Sequence, residues 1–290
     1  MTSRIAFATC LEYATLDADD RLLLEPLAGL GIAAEPAVWN DPSVDWGRFD
    51  AVVLRSTWDY PDAYDAFLAW AAAIPWLINP FDVVEWNTDK LYLLDLEEAG
   101  IATVPTSFAG PGETWQIPTE WAEVVIKPAT SAGSRDTARY DRTDPRVAAH
   151  IARLQAAGRM AMLQPYRHDV DVAGETGLVY IGGIFSHAFR KGPLLGLGNQ
   201  VTEHLFAPEE IELRDPTAEE LELGAQAMSF VSGRFGTPIY ARVDLLPGPM
   251  IIEVELTEPS LYLAYGPGSP ERFATAIAAA FDAPIAAADG

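Results

Sequence analysis

The sequence predicts a mixed α/β protein in which an N-terminal parallel-sheet domain is followed by central and C-terminal α+β subdomains. Apolar runs alternate with helical periodicities through residues 1–86, whereas the last third is rich in strands joined by tight turns. The 290 residues, 49% of them hydrophobic, are enough for about two or more packed units.

In order along the chain, residues 4–9 form an apolar strand. Asp17, Asp19 and Asp20 then start a helix that carries Leu22, Leu23, Leu27 and Leu30 and stops at Gly31. Strands are expected over 35–39 and 49–55. A helix over 62–73 has Tyr64, Phe67, Leu68 and Ala71 at three-and-four spacing, and a strand at 76–79 ends the unit. Such alternation predicts parallel strands with right-handed crossovers. No Gly-x-Gly-x-x-Gly follows the first strand, so the sequence gives no support to a dinucleotide site.

Asn87 or Thr88 is expected to cap a helix that closes at Gly100. An extended segment over 101–108, a turn at Pro111-Gly112, a buried strand over 122–127, a helix over 145–157 and a strand over 160–166 follow. The last third predicts a hairpin of 177–182 with 184–190, a helix over 218–235, and strands 239–246 and 250–257 around Pro247-Gly248-Pro249. A final helix over 270–281 precedes an Ala-rich tail that is expected to fray. The domain boundaries read from this are 1–86, 87–165 and 166–290.

Nineteen basic against 42 acidic residues give a net charge of −23, which repels phosphate backbones and anionic lipid. Nucleic-acid and membrane partners are therefore not expected. No window of about 18 residues is continuously apolar. The first residues lack the layout of a secretory leader, and Cys10 is the one cysteine, so a cytoplasmic protein is expected. Against sixteen arginines there are only three lysines, Lys90, Lys127 and Lys191. A lysine is a compact charge on a flexible stem, suited to reaching a phosphate.

Alternation puts Arg242 and Asp244 on one face of a strand, and Glu253 and Glu255 on one face of the next. Folding at residues 247–249 brings the pairs together. Three converging carboxylates suit Mg²⁺, and a chelated Mg²⁺ implies a substrate phosphate. The alternative is an edge hairpin with a solvated acidic face. Lys127 leaves a buried strand beside the small-residue loop 129–135, a combination of charge and backbone N–H groups that can cradle phosphate. The strand ending in Gln164, Pro165 and Tyr166 offers backbone groups to an adenine edge, with an acid a few residues later for ribose hydroxyls.

An Asp-Lys helix, an Ile-Lys-Pro strand with its loop, a Gln-Pro-Tyr linker and an Arg-x-Asp…Glu-x-Glu hairpin occur here in one order. That order resembles the ATP-grasp superfamily of carboxylate ligases from about Asn87 onward, and the first 85 or so residues resemble its preceding α/β domain. The resemblance implies ATP and Mg²⁺ as cofactors, acyl-phosphate chemistry and a homodimer. It implies ATP contacts by Lys90, Lys127, Thr130, Ser131, Gly133, Ser134, Gln164, Pro165, Tyr166 and Glu175. Asp244, Glu253 and Glu255 would hold the metal, and Arg242 would meet the transferring phosphoryl group.

Residues 55–60, 127–134 and 183–191 further resemble the subgroup containing the D-cycloserine-forming O-ureido-serine cyclo-ligase. This implies a small amino-acid-like substrate, O-ureido-D-serine, closing on itself. Arg55, Ser56, Thr57, Asp59 and Arg190 are then expected at the substrate, and Lys191 beside Arg242 in catalysis. An intermolecular carboxylate–amine ligase and a non-catalytic nucleotide-binding regulator remain as alternatives. Trp58 and Tyr60 read equally as core aromatics, His187 reads more as a strand histidine than a catalyst, and Cys10 as a packing residue.

Overall fold

The computed structural model describes residues 3–193, 195–196 and 210–282, so the expected frayed tail lies largely outside the described residues. The first sheet contains β1 (Ser3–Thr9), β2 (Ile32–Val38), β3 (Ala51–Leu54) and β4 (Leu77–Ile78), all parallel, in the order β2-β1-β3-β4. Helices pack both faces, which is why β1 and β3 are buried almost throughout rather than alternating. The helix expected to run to Gly31 is broken into α1 (Ala18–Arg21) and α2 (Leu24–Gly29). Pro26 supplies the reason. A restart at Leu24 puts its missing N–H in a first turn, where no intrahelical bond is lost. The crossover from β3 to β4 carries α3 (Tyr64–Ala72). Strand order reverses between β1 and β3, the position at which open α/β sheets bind ligands beyond their carboxyl ends.

The single capped helix expected from Asn87 is two helices, α4 (Phe81–Asn87) and α5 (Tyr92–Glu98). Asn87 ends the first of them instead of capping the second. Its side chain is drawn off to a distant strand, donating to Val254 O at 2.7 Å and accepting from Leu256 N at 2.7 Å.

The second sheet is antiparallel. It contains β5 (Ser107–Ala109), β6 (Glu123–Pro128), β7 (Ala138–Asp141) and β8 (Ala161–Pro165) in the order β5-β8-β6-β7. Helix α6 (Arg146–Ala156) packs Val147, Ile151 and Leu154 against it. Strand β7 was not expected from the sequence, where its four residues show no apolar run.

A short helix, α7 (Val170–Ala173), leads into the third sheet. Here β9 (Glu175–Ile181), β10 (Ile184–Lys191), β11 (Ile211–Leu213), β12 (Tyr240–Leu246) and β13 (Met250–Glu255) take the antiparallel order β11-β10-β9-β12-β13. Helix α8 (Ala218–Phe235) precedes β12, held at its start by a reciprocal Thr217–Glu220 capping box. Helix α9 (Ser269–Asp282) joins Phe7 and Leu27 of the first domain to Phe189 and Tyr240 of the third sheet in one core through Phe273 and Ile277. Asn79, just past β4, donates to Tyr240 O and Leu256 O at 2.9 Å and accepts from Ile239 N at 2.8 Å. The first and third sheets are thus bonded as well as packed.

Candidate active site

A cavity is lined by residues of the loop after β3, the α4–α5 connection and strands of the second and third sheets. On the β12–β13 hairpin the register sets Arg242 opposite Glu255 and Asp244 opposite Glu253, as strand alternation predicts. Arg242 donates through Nε and Nη2 to Asp244 at 2.9 Å and also pairs with Glu255. Lys191 reaches in from β10, 2.7 Å from Asp244 and 3.2 Å from Glu175, and Lys90 stands 2.9 Å from Glu253. Burial alone would raise the Asp244 pKa, but Arg242 and Lys191 hold it at about 2. Glu255 is pushed up to about 7, because burial and the neighbouring carboxylates outweigh Arg242. Arg242, Lys90 and Lys191 together pair all three hairpin carboxylates and Glu175.

Among the described residues no three acidic, imidazole or thiol groups stand as a ready-made metal cage. The chemistry of Asp244, Glu253 and Glu255 nevertheless fits a hard divalent cation: oxygen donors on two paired strands, each of them now satisfied by a lysine or arginine.

Lys127, at the end of β6, lines the same cavity without an ion-pair partner among the described residues, and burial lowers its pKa. Beside it runs the loop bearing Ser131, Gly133 and Ser134, which also line the cavity; Thr130 does not, and its carbonyl accepts from Arg159 at 3.0 Å. Lys90 Nζ donates to Ser131 O at 3.0 Å, and Arg135 makes a bidentate pair with Asp62 at 2.9 Å, so the loop is fastened at both ends. Val104, Val125, Val170, Leu246 and Ile252 form an apolar arm beside Gln164, Pro165 and Tyr166. Gln164 donates to Thr106 Oγ1 at 3.0 Å, and the Tyr166 ring lies under the Arg139 guanidinium at 3.4 Å.

The residues expected at the substrate are placed differently. Arg55 is 2% exposed and lies outside the cavity lining; its Nε donates to Asp20 at 2.7 Å and its Nη2 to Pro259 O at 3.0 Å. Ser56 donates to the same Asp20 at 2.7 Å, Thr57 is fully buried, and Asp59 accepts from Trp39 Nε1 at 2.6 Å. Arg190 turns away toward α7, donating to Ala173 O at 2.8 Å and pairing with Glu212 at 3.4 Å. From the segment 55–60 it is Trp58 and Tyr60 that line the cavity.

Sequence reasoning missed the stretch after β13. Its consecutive main-chain carbonyls are each taken by a side chain from elsewhere. Leu256 O accepts from Asn79, Thr257 O from Tyr240 at 2.8 Å, Glu258 O from Trp58 at 3.0 Å and Pro259 O from Arg55. Ser260 O accepts from Arg242 and Leu261 O from His187 Nε2, both at 2.8 Å. The last bond requires the Nε2–H form, and Ser186 Oγ is 3.0 Å from Nδ1. His187 is packed beneath Gly266, where a Cβ would lie 2.5 Å from the imidazole. It positions the segment rather than facing the cavity. Glu258, Ser260 and Tyr262 of this strap do face the cavity, and no periodicity in an irregular segment signals them. Cys10 is buried at the end of the first strand, as expected for a packing residue.

Residues 5–79 match the family described as D-cycloserine synthetase DcsG, N-terminal domain. The chain is 36% identical to cycloserine biosynthesis protein DcsG of Streptomyces lavendulae over 293 aligned residues, covering 94% of this chain and 97% of that protein. The chain belongs to the D-cycloserine synthetase family. A crystal structure of D-cycloserine synthetase DcsG superposes with a TM-score of 0.88 at 35% identity, over 96% of this chain and 99% of that one. The family's fold is that of the ATP-grasp ligases. D-alanine–D-alanine ligase from Bacillus anthracis complexed with ATP superposes with a TM-score of 0.64 at 13% identity, over 97% of this chain and 98% of that one. The ATP-grasp ligase PsnB, complexed with a minimal precursor, Mg and ADP, gives 0.59 at 16% identity, over 97% of each chain. As a member of the D-cycloserine synthetase family the chain is an ATP-dependent ligase. No described helix is long and apolar enough to cross a membrane.

Proposed function

We propose that this enzyme closes O-ureido-D-serine to D-cycloserine at the expense of ATP, in the cytoplasm. The observation that carries the reading is one cavity lined by apolar side chains, three lysines, an arginine–carboxylate hairpin and the aromatic residues Trp58, Tyr60 and Tyr262.

Adenine lies in the apolar arm against the backbone of residues 164–166, and the phosphates lie against Lys127, Lys90 and the 131–134 loop. Asp244, Glu253 and Glu255 would hold Mg²⁺, which when bound would supply charge neutralisation for the phosphates. The substrate carboxylate attacks the γ-phosphorus, breaking its bond to ADP and forming an acyl phosphate. Arg242 stabilises the charge on the transferring group, and Lys191 holds Asp244 and Glu175 in place. The nitrogen attached to the side-chain oxygen then attacks the acyl carbon. Phosphate departs with the nitrogen's proton, and a five-membered ring closes. Cycloserine lacks the carbamoyl group, so one water is consumed in releasing it as carbon dioxide and ammonia. Intramolecular attack by a well-oriented group is worth effective molarities of about 10⁵–10⁸ M, so the site has to hold the folded-back conformer and exclude water.

The test is mass spectrometry of a reaction containing O-ureido-D-serine, ATP and Mg²⁺ with no added amine. ADP, phosphate and cycloserine are expected. AMP with pyrophosphate would overturn the acyl-phosphate route. Turnover only with a second amine, giving a linear conjugate, would leave a ligase and remove the cyclase.

A further inference from the structure

We infer that the Glu258 carboxylate is the seat for the α-ammonium of a small zwitterionic substrate and sets the enzyme's preference for amino acids over their desamino counterparts. The inference rests on the amino-acid substrate proposed above.

Five carboxylates line the cavity: Glu175, Asp244, Glu253, Glu255 and Glu258. The first four each face a lysine or arginine within the protein. Among the described residues the Glu258 carboxylate makes neither a salt bridge nor a hydrogen bond. A carboxylate taken out of water without a partner is costly, and either a proton or an incoming cation relieves the cost. Burial, with the charge of Glu255 behind it, already pushes this carboxyl up to about 8.

The backbone at Glu258 is fixed. Its own carbonyl accepts from Trp58 at 3.0 Å, and the carbonyls on either side are held by Tyr240 and Arg55. The side chain therefore projects from a rigid strap and is not part of a loose loop. The lining also includes Trp58, Tyr60, Ser260 and Tyr262, and the two cations whose charge reaches Glu258, Lys90 and Arg242, are each already paired with another carboxylate, a setting that accepts an ammonium. An α-amino acid with its carboxylate toward Arg242 and its ammonium on Glu258 would be held at two points, with its side chain left to fold back.

The experiment compares O-ureido-D-serine with its desamino analogue, 3-(ureidooxy)propanoate, by steady-state ADP release from the wild-type enzyme and from Glu258→Gln. The wild type should show a KM for the amino substrate at least about 30-fold below that for the analogue, the scale of losing one partner of a desolvated charge pair. Glu258→Gln should raise the KM for the amino substrate by at least about 30-fold, leaving the KM values for the analogue and for ATP within about threefold. The analogue measured on unmutated enzyme guards against a variant that fails to fold. A wild type that makes cycloserine but treats both compounds alike overturns the inference, as does a folded Glu258→Gln with an unchanged KM. A wild type that releases no ADP with O-ureido-D-serine overturns the substrate reading first, and this inference with it.

Discussion

Lys127 and Glu258 are, among the described residues, the two charged side chains in the cavity lining that make no ion pair within the protein. Every other charge there is already matched. One spare cation and one spare anion in a buried site are the complement of a ligand that brings a phosphate and an ammonium.

Lys127→Met should separate ligand binding from stability. The lysine is desolvated without a carboxylate partner, so an apolar side chain of similar length should leave the melting temperature unchanged or raise it. Nucleotide affinity, followed by titration, should fall roughly 10- to 100-fold with the loss of a charge-assisted bond to phosphate. A lower melting temperature with unchanged affinity would place Lys127 in the scaffold.

Glu253→Ala should remain folded and lose turnover by at least about a hundredfold, read as ADP release, because the carboxylate we propose as a metal ligand is also the partner of Lys90. Glu253→Gln keeps a hydrogen-bond acceptor for Lys90 and should be nearly as inactive. Full activity of Glu253→Gln at ordinary Mg²⁺ would show that the carboxylate matters only to Lys90.

Asp20→Ala should be among the most destabilising single changes. It leaves Arg55 charged, 2% exposed and without its carboxylate, and Ser56 without its acceptor. Breaking such a buried pair costs about 3–5 kcal/mol. Urea denaturation reads this directly, and a loss below about 1 kcal/mol would mean that the pair contributes little beyond what exposed ion pairs do.

The pH dependence of stability should carry a signature of Asp19. Burial raises its pKa to about 6 despite Arg55, and its Oδ2 is buried without a partner. A raised folded-state pKa means the native protein takes up a proton before the unfolded chain does. The contribution is present at low pH and is lost as pH rises through about 6. Asp19→Asn should therefore be more stable than wild type at pH 8 by up to about 3 kcal/mol, with the gap closing toward pH 4. A pH-independent difference between the two proteins would count against this assignment.

The hairpin geometry was legible because both of its determinants are local. A period of two places Arg242 with Asp244 and Glu253 with Glu255, and the turn between them is written as Pro247-Gly248-Pro249. Arg55 was not legible in the same way. Its partners are Asp20, 35 residues earlier, and Pro259, 204 residues later, and nothing in the motif around it announces either. Asn87 looked like a helix cap because caps and long-range clamps use the same amide, and only the fold reveals that Leu256 N and Val254 O compete for it. Glu258 and Tyr262 stand in a segment with no repeating conformation, where side-chain direction follows from contacts that sequence spacing does not encode.

The carbonyls of residues 256–261 are all engaged by side chains from outside the segment, so its path is dictated by the rest of the molecule. Transplanting a longer or shorter version from a related enzyme would have to re-register six donors at once. Exchanging outward side chains at 58, 258, 260 and 262 leaves five of those donors untouched, and at 258, 260 and 262 all six. Diversification of substrate choice in this lineage should therefore proceed by point replacement on a conserved frame, and a library confined to those four positions is the economical way to redirect the enzyme.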